Sequence, residues 1–157
     1  MAKLKGKAAS ASDPSSLVAS IERYEQTYYI SEHGPSGAET NDEALIEIQG
    51  RIVCISAGHT QHVAQPIEIT FGCAATYAAD ERTPLSDKPF LLLMILRKHQ
   101  RSFMAYLPAA AFWSIPAMIE AGRLTHIEAR FNRPRYGSGK LLGVYLMPES
   151  KFRAEQL

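Results

Sequence analysis

"ALIEIQGRIVCI", residues 44–55, alternates apolar with polar side chains. The apolar set is Ile46, Ile48, Ile52 and Cys54, and the polar set is Glu47, Gln49 and Arg51. A period of two is typical of a half-buried strand in an antiparallel sheet. Gly50 lies between the apolar positions and indicates a bulge or a bend. This stretch therefore predicts a fold built on strands.

The same alternation returns further along the chain. It predicts inward-facing side chains at Ile67, Ile69, Phe71 and Cys73 in one strand and at Ile127, Ala129 and Phe131 in another. Further predicted strands are "TYYIS" (27–31), "FLLLMILR" (90–97), "SFMAYL" (102–107) and "KLLGVYLM" (140–147). The strand 90–97 is apolar on both faces, which favours a central strand covered on both sides. The polar "KHQR" (98–101) that follows it predicts a hairpin turn.

Two segments carry helix signals. Asp13 and Pro14 combine a capping side chain with a proline at the first helical position. Apolar residues follow at helical spacing, namely Leu17, Val18, Ile21 and Tyr24. In the second segment, "LPAAAFWSIPAMIEAG" (107–122), Pro116 cannot donate to the preceding turn. We therefore predict two short helical turns there, the second beginning at Pro116 and ending at Gly122.

The element pattern predicts a mainly β protein. Six to seven strands with short helices, and no regular strand–helix alternation, indicate an antiparallel β-sandwich or a partly open barrel, with an α+β fold as the alternative. The 157 residues, 46% of them hydrophobic, suffice for one core. We assign a flexible tail to residues 1–12, one β-rich domain to 13–150 and a polar tail to 151–157.

Composition also predicts the cellular setting. Two cysteines, Cys54 and Cys73, make no disulfide framework, which favours a reducing, cytoplasmic compartment. The opening residues 1–16 contain no apolar segment of signal-peptide length. No stretch approaches the roughly 20 apolar residues of a membrane span. We therefore expect a cytoplasmic protein that has no membrane partner and uses no cofactor.

The charges are divided along the chain. A net charge of +1 argues against bulk electrostatic attraction to nucleic acid or acidic membranes. Residues 22–49, the acidic segment, hold seven acidic side chains and one arginine. Residues 90–140, the basic segment, hold eight basic side chains and two glutamates. Either the folded molecule is electrically polar, or the two segments neutralise each other.

"RFNRPRYGSGK", residues 130–140, groups cations around an aromatic ring and two glycines. It is not a nucleotide-binding loop, because the glycine spacing is wrong and no Ser or Thr follows the lysine. We predict a hairpin between strands 124–131 and 140–147, with positive φ at its glycines. Arginine suits phosphate, and tyrosine suits a base or a sugar. The candidate anion-binding set is Arg101, Arg123, Arg130, Arg133, Arg135, Tyr136 and Lys140. The alternative is a solvated hairpin that protects a sheet edge.

The outward row of the strand 124–131 is a weak catalytic candidate. His126 and Glu128 share one face, and such a pair can exchange protons near neutral pH. The alternative is an ordinary exposed strand face in which Glu128 pairs with Arg130.

A weak metal candidate lies between the strands 44–54 and 67–73. His59 and His62 have a spacing that can chelate zinc. Alternation sends the nearest further ligands, Glu68 and Cys73, to opposite faces, so we expect no metal site here.

The segment around the only tryptophan completes the candidates. Phe112, Trp113 and Met118 either cover the end of a sheet as core or form a partner surface. Because nucleotide, metal and nucleophile motifs are absent, we lean away from an enzyme. We predict a binding or assembly module that acts through protein contacts or as a homo-oligomer. The alternative is binding of anionic ligands or nucleic acid through residues 130–140, and a small enzyme at His126 and Glu128 is the third hypothesis.

Overall fold

The computed structural model describes residues 14–33, 39–74 and 91–155. The strands are β1 (Ser15–His33), β2 (Glu39–Ile55), β3 (Pro66–Ala74), β4 (Leu91–Arg97), β5 (Gln100–Tyr106), β6 (His126–Phe131) and β7 (Ser138–Met147). The helices are α1 (Ala109–Glu120) and α2 (Glu149–Glu155), and a 3₁₀ turn spans Thr60–His62. The predicted tail 1–12 lies outside the described residues, and α2 crosses the boundary predicted at residue 150.

The strands form a closed barrel in the order β1-β2-β3-β5-β4-β7-β6. The predicted mainly β fold is confirmed, and of the alternatives the barrel is the correct one. It is closed, because β6 pairs with the first part of β1. The sheet is mixed: Glu68–Gly72 of β3 run parallel to Ser102–Tyr106 of β5, whereas the other neighbouring pairs are antiparallel.

The inward-facing side chains form one apolar core. The predicted inward residues are buried, namely Ile46, Ile48, Ile52, Ile67, Ile69, Phe71, Cys73, Ile127, Ala129 and Phe131. Cys54 is the exception. Val18 pairs with Cys54 and Ala19 pairs with Ile52, so Val53 is an extra residue in β2. This bulge moves Cys54 to the outer side of the sheet, beside Val18.

The predicted helix after Pro14 is wrong, because these residues belong to β1. Ile21 pairs with Gly50 and Arg23 with Gln49, which makes Glu22 an extra residue. The bulge at Glu22 shifts the alternation by one position. The residues of β1 that pack on the core are therefore Leu17, Ala19, Ile21 and Tyr24. The interval of three residues between Ile21 and Tyr24 resembles helical spacing, which explains why the pattern predicts a helix here.

Gly50 permits the bend at this point of the sheet. A Cβ atom at Gly50 would lie 2.5 Å from the carbonyl oxygen of Ser20. Any larger residue would therefore push β1 and β2 apart where β1 leaves β6. The bend predicted from this glycine is present as the register shift opposite it.

Helix α1 closes one end of the barrel. Phe112 and Ile115, one turn apart, are fully buried in the core. The helix is continuous through Pro116, so the predicted break is wrong. A proline inside a helix costs about 3 kcal/mol, and the burial of two large apolar side chains offsets it at about 1.5–3 kcal/mol each. The predicted end at Gly122 is confirmed by the hydrogen bond from Arg123 N–H to the Met118 carbonyl, at 2.9 Å.

The outer surface is covered unevenly. Strand β4 is buried on its inner face through Met94 and Leu96, but Leu93 is 47% exposed, so the predicted cover on both sides is wrong. Helix α2 lies against the outer face of β6, where Phe152 stacks on His126 with ring centroids 4.6 Å apart. No helix in the described ranges is both long and apolar enough to cross a membrane.

The two ends of the barrel are built differently. The connections β2–β3, β4–β5 and β6–β7 lie at one end, called the loop end below, because β3 and β5 start there and β4 ends beside the start of β7. Helix α1 fills the opposite end, called the helix end. The loop end is therefore the part of the barrel that presents turn residues rather than a packed helix.

Replacing Phe112 tests the closure by α1. We expect Phe112→Ala to lower the free energy of unfolding by about 3–5 kcal/mol, because a buried ring leaves a cavity. Trp113→Ala on the same helix is the control; Trp113 is 52% exposed, so a loss below about 2 kcal/mol is expected. Urea unfolding followed by circular dichroism measures both. Equal losses would contradict the placement of Phe112 in the core.

Candidate anion-binding site

Basic side chains gather at the loop end. They come from the end of β4, the β4–β5 turn, the start of β5 and the β6–β7 hairpin. The segments that form this end, residues 56–66, 97–102 and 131–140, contain no Asp or Glu. The set, called the basic end below, is Arg97, Lys98, Arg101, Arg133 and Arg135.

The ion pairs found between described residues lie outside the basic end. Among the residues that the structure describes, Arg51 pairs with Glu22 at 2.8 Å, and Arg130 pairs with Glu128 at 3.0 Å. Neither pair joins the acidic segment to the basic segment.

The tip of the β6–β7 hairpin is a tight two-residue turn. Arg135 and Ser138 exchange backbone hydrogen bonds of 2.8 and 3.1 Å around it. The φ angles of Tyr136 and Gly137 are +53° and +79°, which is typical of a type I′ turn. The predicted hairpin is confirmed. The positive φ predicted for its two glycines is present at Gly137 but not at Gly139, where a Cβ atom would lie 2.3 Å from the carbonyl oxygen of Asn132. Tyr136 adopts a conformation that is about 1–2 kcal/mol unfavourable for a non-glycine residue, and its side chain is 100% exposed.

The turn is fixed against the neighbouring strand. The Leu96 N–H donates to the Gly137 carbonyl at 2.9 Å. A Cβ atom at Gly137 would lie 2.6 Å from Cγ of Arg97, so only glycine lets the Arg97 side chain cross the turn. The position of Tyr136 is therefore set by backbone contacts to β4, and Arg97 lies beside it.

The β2–β3 connection is held by two arginines. Arg51 donates to the Ala64 carbonyl at 2.8 Å. Arg101 donates to the Pro66 carbonyl at 2.7 Å and to the Lys98 carbonyl at 2.8 Å. Arg101 thus links the start of β3 to the β4–β5 turn. Its main role is to order the loop end, although it belongs to the predicted anion-binding set.

An open groove of about 750 Å³ runs between these connections. Its lining includes His62, Lys98, His99 and Arg101. Leu96, which bonds to the hairpin tip, also lines it. The groove therefore lies between the β2–β3 connection and the β4–β5 turn, and Leu96 links its lining to the turn that carries Tyr136.

Two histidines belong to the same end. Burial lowers the pKa of His59 below the ordinary imidazole value, and the charge of Arg133 lowers it further. Burial likewise lowers the pKa of His62, with smaller effects from Arg101 and His59. A cation of the hairpin thus acts on His59 and a cation of β5 acts on His62, while burial is the larger cause of the lowered pKa at both histidines.

The rest of the predicted anion-binding set is dispersed. Arg130 lies on the barrel wall, where it pairs with Glu128 and stacks 4.7 Å from the Tyr145 ring centroid. Lys140 faces outward opposite Leu93. Arg123 follows α1 at the helix end. The structure therefore brings together Arg101, Arg133, Arg135 and Tyr136 and separates Arg123 from them.

Both catalytic candidates are engaged in structural contacts. The His126 ring stacks on Phe152, and its Nδ1 lies 2.9 Å from the Thr125 hydroxyl. Glu128 is bound by Arg130. No contact between His126 and Glu128 accompanies these, so the pair does not present a shared proton to a cleft.

The metal candidates His59 and His62 approach each other in the β2–β3 connection. The described part of the chain contains no group of three or more His, Cys, Asp or Glu side chains that could hold a metal ion. Glu68 is exposed and Cys73 is buried, as alternation predicts. The histidines contribute to the basic end rather than to a ligand set.

The predicted partner surface is divided by burial. Phe112 is fully buried and belongs to the core, so it is not available to a partner. Trp113 is half exposed on the same helix, and its ring meets Phe112 edge-on at 5.0 Å. Met118 is partly buried against the core. Trp113 alone of the three offers a large exposed surface.

Sequence reasoning missed Arg97, Lys98 and His99. The segment "KHQR" is recognised as a turn, but its place beside the hairpin 132–137 is not. One signal was present: in an up-and-down sheet, the connections that follow every second strand share an end. Because successive strands run in opposite directions, the β4–β5 turn and the β6–β7 hairpin lie at the same end of the barrel.

Comparisons with protein families, with curated proteins and with solved structures find no match to this chain. The site is therefore interpreted from its own geometry.

The lowered pKa values predict how stability depends on pH. The folded state disfavours protonation of His59 and His62, so the unfolded chain takes up more protons below about pH 6.5. We expect the free energy of unfolding to fall between pH 7.5 and 5.5, measured by urea unfolding. His62→Gln should show a shallower decrease. An unchanged slope in His62→Gln would contradict this assignment.

Proposed function

We propose that this protein binds phosphate-bearing anions at its basic end. One observation carries the proposal: three connections of the barrel converge at one end, and every residue of them that is charged at neutral pH is cationic. The whole chain has a net charge of only +1, so this excess is local. A local excess of positive charge attracts and orients an anion at one site, and it does not make the whole surface bind anions non-specifically.

The exposed arginines fit phosphate chemistry. Arg133 and Arg135 are exposed and form no ion pair with another described residue. A planar guanidinium donates two parallel hydrogen bonds to phosphate oxygens. Lys98 adds a point charge at the β4–β5 turn, next to the groove. These groups stabilise no described carboxylate, which supports a ligand outside the chain as their partner.

Charge reversal at the hairpin tests the proposal. The probe is inorganic polyphosphate, titrated by calorimetry, because it carries phosphate charge and no base. We expect binding that weakens by about 100-fold between 50 and 200 mM salt, as for about four phosphate contacts. Arg133→Glu/Arg135→Glu should weaken binding at least 10-fold with an unchanged melting temperature. Arg123→Glu, at an exposed arginine of the helix end, should bind as the wild type does; its matched comparison is Arg133→Glu alone, because each of these two variants changes the net charge by two.

Two results would contradict the proposal. One is the absence of polyphosphate binding at 50 mM salt. The other is an equal loss of affinity in Arg123→Glu and in Arg133→Glu, which would show that only net charge matters.

Self-association is the second candidate function, and one observation favours it. Trp113 exposes half of its ring at the helix end, away from the basic end. Tryptophan is enriched in the buried centres of protein interfaces. A second copy of this chain is the partner that we propose for this surface.

Trp113→Ala tests self-association, because this change removes the exposed ring while Phe112 still fills the core. We expect wild-type protein to form dimers at high concentration in sedimentation velocity and Trp113→Ala to remain a monomer. A wild-type protein that is monomeric at all concentrations would exclude this candidate and leave the basic end unaffected.

A further inference from the structure

We infer that the ligand of the basic end is a single-stranded nucleic acid and that Tyr136 is the platform on which one base stacks. The inference rests on the proposed function, because the phosphates of the strand would occupy the arginines. It adds a chemical requirement that phosphate binding alone does not have, namely an unpaired base.

Tyr136 is unusual because its side chain forms no contact within the described fold. Its side chain is fully exposed, and its φ of +53° is a conformation that suits Asn or Gly better. Backbone hydrogen bonds hold this turn, but no described contact uses the ring, which points to a role of the ring outside folding. An aromatic ring with both faces open is the side chain on which a base stacks.

The backbone that carries the ring is held in place before any ligand arrives. The hydrogen bond from Leu96 N–H to the Gly137 carbonyl fixes the turn on β4, and the Arg97 side chain crosses Gly137. An ordered turn loses little backbone freedom when a base stacks on the ring that it carries. Arg133 and Arg135 precede the ring on the same hairpin, so cations flank it on the chain and on the neighbouring strand.

The groove provides a path for the phosphates on the β4–β5 side of the stacked base. Because β4 pairs with β7, the β4–β5 turn lies about two strand spacings, roughly 10 Å, from the hairpin tip. Lys98 and Arg101 line the groove there. A flexible strand can place one base on Tyr136 and the next phosphates along the groove.

Single strands fit this arrangement better than duplexes or membranes. A paired base is covered by its neighbours and must be unstacked before a side chain can lie on it. A membrane-binding loop presents a wider apolar surface, whereas the residues next to Tyr136 in the turn are Arg135, Gly137 and Ser138. No apolar side chain accompanies the tyrosine at the tip.

The experiment compares four probes with one set of variants. The probes are a labelled oligothymidine of about 15 nucleotides, a duplex of the same length, inorganic polyphosphate and vesicles of phosphatidylglycerol. The variants are Tyr136→Asn, Tyr136→Phe and Arg133→Glu/Arg135→Glu. Fluorescence anisotropy at 50 mM salt reports on the nucleic acids, calorimetry on polyphosphate and co-sedimentation on vesicles.

We expect the wild type to bind the single strand at least 10-fold more tightly than the duplex. Tyr136→Asn should weaken single-strand binding by about 10-fold, leave polyphosphate binding unchanged and keep or raise the melting temperature, because asparagine suits the turn. Tyr136→Phe should retain single-strand binding. A 2-aminopurine base in the strand should lose fluorescence on binding the wild type and not on binding Tyr136→Asn.

The outcomes separate this inference from the proposed function. Single-strand binding that Tyr136→Asn leaves intact, or equal binding of strand and duplex, overturns the inference while polyphosphate binding keeps the proposed function. Vesicle binding without single-strand binding also overturns the inference, in favour of a membrane surface. Binding of none of the probes overturns both.

Discussion

The pairing of β1 with β6 is the constraint on which the rest of the structure depends. Leu17 lies opposite Ala129 and Ala19 opposite Ile127, which joins the first strand to the sixth and closes the sheet. Closure requires the long β1–β2 ribbon to bend strongly, and two bulges together with Gly50 provide that bend. Without it the alternating side chains would have no enclosed interior, and α1 would have no opening to fill.

Closure also makes the two ends of the barrel different in structure. At the helix end, Phe112 and Ile115 complete the core, so the chemistry there is apolar. At the loop end the connections are short and are held by arginine bonds to backbone carbonyls, as Arg101 shows. The barrel wall carries the ion pair between Arg130 and Glu128. Stability therefore comes from the inside and from the helix end, which leaves the turns at the loop end available to a ligand.

The sequence predicts the faces of the strands well because alternation depends only on local pattern. It predicts the hairpin of residues 132–137 for the same reason. It fails where an extra residue breaks the period: the bulge at Glu22 makes β1 resemble a helix, and the bulge at Val53 reverses Cys54. Strand order is not encoded in periodicity, so the parallel neighbour of β3 was not predictable. The grouping of Arg123 with the hairpin failed because charge along a chain says nothing about which end of a barrel it reaches.

Three residues in the described chain contradict the local preferences of their positions, and at each of them the fold supplies a backbone or core contact that compensates. Pro116 lies inside a helix, but α1 buries Phe112 and Ile115 on either side of that turn. Ala64 has a φ of +63°, but its N–H and carbonyl both form hydrogen bonds of 2.8 Å, to Ile52 and Arg51. Tyr136 has a comparable φ, and its side chain is in solvent. Backbone and core contacts explain all three backbone conformations but not the choice of a tyrosine at position 136, and the proposed stacking of a base on Tyr136 would supply a contact for that ring.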